Sequence, residues 1–193
     1  MIAFGKRIEP MRVSDFEGNP AGSLGVSDAV LMTSRDGIFW DRTLRTPYLS
    51  GGLDPHEWTQ RNFIPVGGIA VRGDMFYFYS EKRYMWDDDG IFAYAVPRYR
   101  FLSLSADEEG GCFVSKPLLF ESDDIYLNYA TGAYGYLKVK LESETGQPLF
   151  ESEEIYGNEL SYRLHASGLT GKRGRMTVKM REARLYAIGA PMK

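Results

Sequence analysis

Short alternating runs of apolar and polar residues, rich in aromatic side chains and interrupted by glycine and proline, cover most of this sequence. Its 193 residues include 13 tyrosines, 11 phenylalanines and 3 tryptophans, together with 21 glycines and 9 prolines. Aromatic residues favour the pleated surface of a β-sheet, whereas glycine and proline mark the turns between strands. The sequence therefore predicts an all-β protein, with at most one short helical turn at residues 54–59.

The first hundred residues predict three hairpins and one long loop. The strand pairs are 26–33 with 38–40, 66–71 with 75–80, and 90–96 with 99–104, and the loop runs from 46 to 65. The last two hairpins place four antiparallel strands within roughly 40 residues, which is the size of one propeller blade. We therefore predict a four-stranded blade at residues 65–104.

An acidic, glycine-rich segment at residues 107–111 predicts a boundary between two domains, 1–106 and 111–193. Seven strands with regular turn signals follow and are typical of a β-sandwich: 112–120, 124–129, 135–141, 149–152, 160–165, 174–180 and 183–188. Two of these strands alternate so regularly that one face of each is predicted to line the core. The residues on those faces are Leu137, Val139, Leu141, Met176, Val178 and Met180.

Five blocks of the sequence occur in an order that is shared with a known family. They are 25–42 (GVSDAVLMTSRDGIFWDR), 52–62 (GLDPHEWTQRN), 116–120 (KPLLF), 127–129 (LNY) and 185–186 (LY). These blocks resemble a family of bacterial, glycoside-hydrolase-like five-bladed β-propellers with a C-terminal β-sandwich. Because 193 residues are too few for a complete ring, the resemblance implies a partial propeller of about two blades followed by the sandwich. It also implies a carbohydrate ligand or substrate.

Residues 34–40 look like a shortened sialidase-type Asp box. In such a turn Ser34 and Asp36 accept backbone N–H bonds, Gly37 takes a positive φ, and Trp40 packs beneath. In the propellers that this chain resembles, these turns lie away from the central site. We therefore predict that Asp36 is structural.

Glycoside hydrolysis generally needs two carboxyl groups that flank the scissile bond. Among 26 acidic residues, Asp28 and Glu81 are the best catalytic candidates, because each interrupts an apolar or aromatic strand. The alternative is structural. In that case Asp28 would cap a turn, and Glu81 would pair with Lys82 or Arg83.

Candidate sugar-binding residues lie on the predicted loops and on the sandwich. Aromatic rings pack against the C–H faces of sugars, while charged and amide groups bind hydroxyls. The predicted ligand-binding residues are Arg61, Asn62, Trp58, Trp86, Tyr126 and Tyr136. Half-buried packing within a sheet is the alternative for the tyrosines.

Several function classes are disfavoured by the sequence. A net charge of −3 gives no broad attraction for nucleic acid or anionic membranes, and no apolar run is long enough for a membrane helix. One cysteine, Cys112, and two histidines are too few for a structural zinc site, so we predict no metal and no cofactor. The run Asp87-Asp88-Asp89-Gly90 could bind calcium, but a solvated turn is the simpler interpretation.

Two functional hypotheses follow. The first is a non-catalytic, carbohydrate-associated protein that joins the end of a propeller to a glycan-binding sandwich. The second is a glycosidase whose site is completed by assembly or by a missing N-terminal region. Because an incomplete propeller leaves a blade face uncovered, we also predict a homo-oligomer whose interface includes residues 2–7 and 26–33.

Overall fold

The computed structural model describes residues 1–13 and 24–191 of the chain. The described residues form strands and one turn of 3-10 helix, Pro55–Glu57, without any α-helix. The all-β prediction is therefore confirmed. The strands are β1 (Ile2–Val13), β2 (Leu24–Thr33), β3 (Ile64–Arg72), β4 (Met75–Lys82), β5 (Gly90–Pro97), β6 (Leu104–Ala106), β7 (Gly111–Val114), β8 (Leu118–Leu119), β9 (Asp124–Ser143), β10 (Pro148–Glu151), β11 (Asn158–His165) and β12 (Arg173–Gly189).

The chain divides into two compact units, Met1–Ala95 and Val96–Lys193. The division precedes the predicted boundary at 107–111, because that segment is a turn inside the second unit. Both β6, before the turn, and β7, after it, pair with β12. The acidic, glycine-rich composition therefore marks a connection between strands and not a linker between domains.

The first unit contains two antiparallel sheets. β1 and β2 form a two-stranded ribbon in which Ile2 lies opposite Thr33 and Glu9 opposite Val26. β3, β4 and β5 form a three-stranded sheet, and the predicted hairpin across Gly73 is present between β3 and β4.

The prediction of a fourth strand in the blade, at residues 99–104, is wrong. The chain turns after Pro97, where the N–H of Arg100 donates to the carbonyl of Pro97 at 3.0 Å. Tyr99 has a φ of 62°, which is outside the range of a strand. Residues from Leu104 onward pair with β12 in the second unit. The sheet at residues 64–97 therefore has three strands.

The second unit is a seven-stranded antiparallel sheet organised around its two longest strands. β9 and β12 pair from Ser143 with Gly174 to Tyr126 with Gly189. Each of them joins two of the predicted strands, because the segments that resembled turns are bulges within a continuous strand. One register shift lies between Arg181 and Ala183.

The core of the second unit is confirmed as predicted. Leu137, Val139, Leu141 and Val178 are fully buried, and Met176 and Met180 are almost so. Beyond the register shift, the buried positions of β12 change from even to odd numbers and continue at Ala183 and Leu185. The bulge therefore keeps the apolar side of both halves of the strand facing one core. A sandwich-like arrangement is compatible with this pattern.

Candidate functional site

The turn after β2 has the hydrogen bonds expected of an Asp box. The Ser34 hydroxyl accepts the N–H of Gly37 at 2.8 Å, and Asp36 Oδ1 accepts the N–H groups of Ile38 and Phe39, both at 2.9 Å. These bonds from Phe39 and Ile38 lower the pKa of the Asp36 carboxyl. Trp40 donates through Nε1 to the Gly37 carbonyl at 3.2 Å. Asp36 is thus occupied by the turn itself.

The prediction of a strand at residues 38–40 is wrong, because Asp36 binds the backbone groups that a neighbouring strand would need. The backbone N–H groups of Ile38 and Phe39 are used by Asp36 instead of a neighbouring strand, and Gly37 has a φ of 77°. β2 pairs with β1, and only a single bridge joins Thr33 to Asp41. The two apolar side chains that follow Gly37 are left exposed to solvent.

Asp28 forms a bidentate ion pair with Arg7 on the neighbouring strand. Arg7 donates to its two carboxylate oxygens at 2.9 and 2.5 Å, and also to the carbonyl of Arg45 at 2.7 Å. Arg7 and Asp28 are cross-strand partners and share one face of the β1–β2 ribbon. Asp28 therefore does not cap a turn, and its carboxylate already has a cationic partner.

Glu81 lies at the end of β4, opposite Ile64. Burial raises the pKa of its carboxyl, and Asp89 adds to that rise, whereas Arg61 and Lys6 oppose it. Lys6 belongs to the face of the ribbon opposite that of Arg7, because successive strand side chains alternate. Among the described residues, Asp28 therefore interacts with Arg7, whereas the charged neighbours of Glu81 are Asp89, Arg61 and Lys6.

The expected pairing of Glu81 with Lys82 or Arg83 is also wrong. Lys82 pairs with Glu57, a carboxylate that is only 6% exposed. The guanidinium of Arg83 bridges Asp54 at 2.8 Å and Asp88 at 2.9 Å. Both cations therefore connect the long loop to the turn at residues 83–89.

The long loop is shaped by its own polar groups. Asp54 caps the 3-10 turn by accepting the N–H of His56 at 3.0 Å, and Glu57 accepts the N–H of Gly52 at 2.9 Å. A buried carboxylate is costly unless it is paired and hydrogen-bonded, and Glu57 is both. These contacts fix the loop between residues 52 and 57.

Asn62 is an internal support of the loop, which corrects its assignment as a ligand-binding residue. Its side chain is fully buried. The amide nitrogen donates to the carbonyl of His56 at 3.0 Å and to the hydroxyl of Thr59 at 2.6 Å. The amide oxygen accepts the backbone N–H of Arg83. Because both ends of the amide are engaged, Asn62 holds the loop against the 83–89 turn and is not available to a ligand.

Trp58 is held firmly but remains exposed on the loop. Its Nε1 donates to the carbonyl of Gly52 at 2.7 Å, and 41% of the residue is accessible. A Cβ atom at Gly51 would lie 2.8 Å from the indole Cε2, so the ring packs directly on the glycine backbone. The orientation of the indole is thereby fixed, while part of the ring faces solvent.

Arg61 is the exposed cation nearest to Trp58 in the sequence. Its guanidinium lies 4.8 Å from the centre of the Tyr84 ring and donates to the Tyr84 hydroxyl. Its φ is 63°, a left-handed conformation that is uncommon for arginine. Tyr84 was not predicted from the sequence, where its only signal was its place in the turn after β4.

Trp86 lies in the 83–89 turn, and one of its faces is covered. Its ring stacks on His56 with centroids 3.6 Å apart and an interplanar angle of 6°. The Nδ1 of His56 lies 3.3 Å from a carboxylate oxygen of Asp88. Trp86, the second predicted tryptophan, therefore packs between the long loop and the 83–89 turn. The face of its ring that stacks on His56 cannot contact a ligand.

Tyr126 and Tyr136 lie in the second unit, on different halves of β9. Both alternate with buried core residues, so they are on the outer face of the strand. Tyr126 pairs with Gly189 and Tyr136 with Arg181, on opposite sides of the bulge in β12. The structure therefore places them at two separate positions and not on one platform.

No protein-family model, no curated protein and no solved structure matches the chain. Within residues 1–13 and 24–191, no group of three or more His, Cys, Asp or Glu side chains could hold a metal ion. The described residues also include no helix with the length and apolar character that crossing a bilayer requires.

Proposed function

We propose that this protein binds carbohydrate without acting on it, through a surface of the first unit that we call the Trp58 surface. It consists of Trp58, of Arg61 further along the same loop, and of Tyr84, which Arg61 contacts. The observation that carries the proposal is the exposed indole of Trp58, held in one orientation by Gly51 and Gly52. A ring that is fixed before binding loses little conformational entropy when it stacks on a sugar.

The polar groups that follow Trp58 along the same loop support the same ligand class. Arg61 carries a planar set of N–H donors, part of which already contacts Tyr84. Planar donors beside an aromatic face can bind the hydroxyls that project from the edge of a pyranose ring. The loop underneath is held by the buried amide of Asn62 and the buried carboxylate of Glu57. Such a scaffold favours recognition of a preformed shape.

Replacing Trp58 by alanine is expected to weaken oligosaccharide binding by about tenfold or more. A stacked aromatic ring contributes about 0.5–1.5 kcal/mol beyond the area that it buries. Isothermal titration calorimetry with a panel of soluble oligosaccharides measures the effect. Trp58→Phe should recover most of the affinity, because the ring face remains.

Phe39→Ala is the matched control, because Phe39 is an exposed aromatic residue of the same unit outside the Trp58 surface. Its affinity should equal that of the wild type. The proposal is overturned if the wild type binds none of the panel, or if Phe39→Ala and Trp58→Ala lose affinity equally. Thermal unfolding of all variants separates a loss of binding from a loss of fold.

A glycosidase is the second candidate, and the environment of Glu81 favours it. A carboxyl with a raised pKa is suited to act as a general acid, and Asp89 is a carboxylate that interacts with it. The predicted partner, Asp28, is engaged by Arg7. If this candidate is correct, Glu81→Gln abolishes hydrolysis of aryl glycosides while Asp28→Asn retains most of it. Hydrolysis that survives Glu81→Gln contradicts it.

The homo-oligomer that was predicted from an uncovered blade face remains a proposal, and in this second candidate a second copy would also complete the site. The exposed strand β1 carries Lys6, Arg7, Glu9 and Pro10, and charges and proline on an edge strand oppose pairing with another chain. Static light scattering at micromolar concentration decides the point. A monomer that still hydrolyses aryl glycosides would remove the need for assembly.

A further inference from the structure

A cleft of about 610 Å³ opens on the second unit where β9 and β12 change register. Its polar lining comes from three strands and the turn after β6: Ser105, Asp107, Thr131, Glu182, Arg184 and Tyr186. This volume is in the range of pockets that hold small molecules. Asp107 belongs to the acidic segment 107–111 and Tyr186 to the block 185–186, but neither was predicted as a ligand-binding residue.

Beside the cleft, the backbone of β9 approaches Glu182 so closely that Gly135 has no room for a side chain. A Cβ atom at Gly135 would lie 2.3 Å from the carbonyl oxygen of Glu182, and one at Gly132 would lie 2.9 Å from its carboxylate. Glu182 itself has a φ of 40°, a strained conformation for a residue other than glycine. Strain of this kind persists where the surrounding structure enforces it and is frequent at functional sites.

Arg184 lies in the middle of the lining with small neighbours on both sides. It pairs with Ala130 of β9 and with Ser105 of β6, so these three residues form one row across the sheet. In the described part of the chain, neither Arg184 nor Glu182 takes part in an ion pair. The guanidinium of Arg184 therefore has N–H donors to offer to a ligand in the cleft.

The charges of the cleft are separated along β12. The carboxylates of Asp107 and Glu182 lie at the register shift, whereas Arg184 and Tyr186 follow further along the strand. The guanidinium of Arg100 lies 4.6 Å from the centre of the Tyr186 ring and is fixed by Asn128 at 2.8 Å. One end of the cleft is thus acidic, and the other is cationic and aromatic.

We propose that this cleft binds an acidic sugar, a pyranose that carries a carboxylate. The carboxylate would accept two N–H bonds from Arg184, a geometry that the planar guanidinium favours. The ring would pack on Tyr186, and its hydroxyls would donate to Asp107 and Glu182. The inference rests on the proposed function for the class of ligand, but it concerns a different unit and different residues.

The test compares the affinities of the chain for glucuronic acid and galacturonic acid with its affinities for glucose and galactose. They are measured by NMR chemical-shift titration of the whole chain. We expect the wild type to bind the acidic sugars at least about tenfold more tightly than the neutral ones. Arg184→Gln should reduce the affinity for the acidic sugars to that for the neutral sugars. Arg175→Gln, an exposed arginine on the same strand outside the cleft, should leave the difference unchanged.

Three results would overturn the cleft proposal: equal affinity for acidic and neutral sugars, a preference that survives Arg184→Gln, or equally tight binding of glycine as a simple zwitterion. The Trp58→Ala variant keeps the two proposals distinguishable. If it retains all oligosaccharide binding while the acidic-sugar preference depends on Arg184, the proposed function fails and the cleft stands. If oligosaccharide binding depends on Trp58 and the wild type has no preference for acidic sugars, the cleft proposal fails and the proposed function stands.

Discussion

Val139→Asp is expected to destabilise the second unit severely, with a loss of about 4 kcal/mol in its free energy of unfolding. Val139 is fully buried on β9 and lies opposite Val178, which is also fully buried. The surrounding cluster consists of hydrophobic side chains and offers no cation to an added carboxylate. Burying an unpaired charge or a neutralised acid costs several kcal/mol, a large part of the stability of a typical domain.

Lys179→Asp is the matched control for this substitution. Lys179 is exposed on the outer face of β12, where it lies opposite Lys138 of β9 in the strand register. The same aspartate should there change the free energy of unfolding by less than about 1 kcal/mol. Chemical denaturation followed by far-UV circular dichroism measures both variants. A folded Val139→Asp protein with unchanged denaturation midpoint would mean that the inner and outer faces of β9 are reversed.

The core of the second unit was predictable because alternation is a local property. Leu137, Val139 and Leu141 lie two residues apart, and a strand places such residues on one side whatever its partner is. What the sequence could not reveal is that β9 continues through Gly132 and Gly135. Glycines between two alternating runs resemble a turn, and only the pairing with β12 shows that the strand bends there.

The missing fourth strand of the predicted blade has a similar cause. Residues 99–104 have the composition of a strand, but the partner of Leu104 is Leu185, far along the chain. Local composition contains no information about which of two distant segments a strand will join. The domain boundary was misplaced together with it, because the turn at 107–110 looks the same between domains as it does between two strands of one sheet.

The candidate site was only partly predictable from residue types. Trp58 and Arg61 were predicted from the sequence because indole and guanidinium groups can bind sugars wherever they lie, and their role as sugar-binding residues stays a proposal. Tyr84 was missed because its contact with Arg61 depends on the register of β3 and β4. That register shifts between Val66 and Ala70, so extending the hairpin outward from Gly73 places the loop two residues away from its true partners.

Asn62 shows why residue type alone cannot assign a role. An amide that binds a sugar and an amide that binds the backbone require the same donor and acceptor groups. The burial of the amide distinguishes these two roles. Whether Asn62 is buried depends on where the 83–89 turn lies relative to the loop. The complete burial of Asn62 and its bonds to Thr59 and Arg83 therefore became apparent only in the folded structure.

Gly174→Ala is expected to destabilise the second unit by about 3 kcal/mol, although it adds a single methyl group. Gly174 lies in β12 between Ser143 of β9 and Leu118 of β8. A Cβ atom there would be 2.1 Å from the carbonyl oxygen of Glu142 and 3.3 Å from the Phe120 ring. Because the obstacle is backbone, the two long strands would have to separate locally, and overpacking of this kind typically costs about 1–3 kcal/mol.

Gly189→Ala supplies the control, since Gly189 ends the same strand and a Cβ atom there would meet nothing within 4 Å. We expect the free energy of unfolding of this variant to stay within about 0.5 kcal/mol of the wild type. Amide hydrogen exchange adds a local measure, because Gly174→Ala should speed exchange where β12 pairs with β9 near Ser143. If both glycine variants unfold at the same denaturant concentration, β9 and β12 cannot approach each other at Gly174 as closely as the structure requires. The close pairing of the two longest strands would then be incorrect at this end of the sheet.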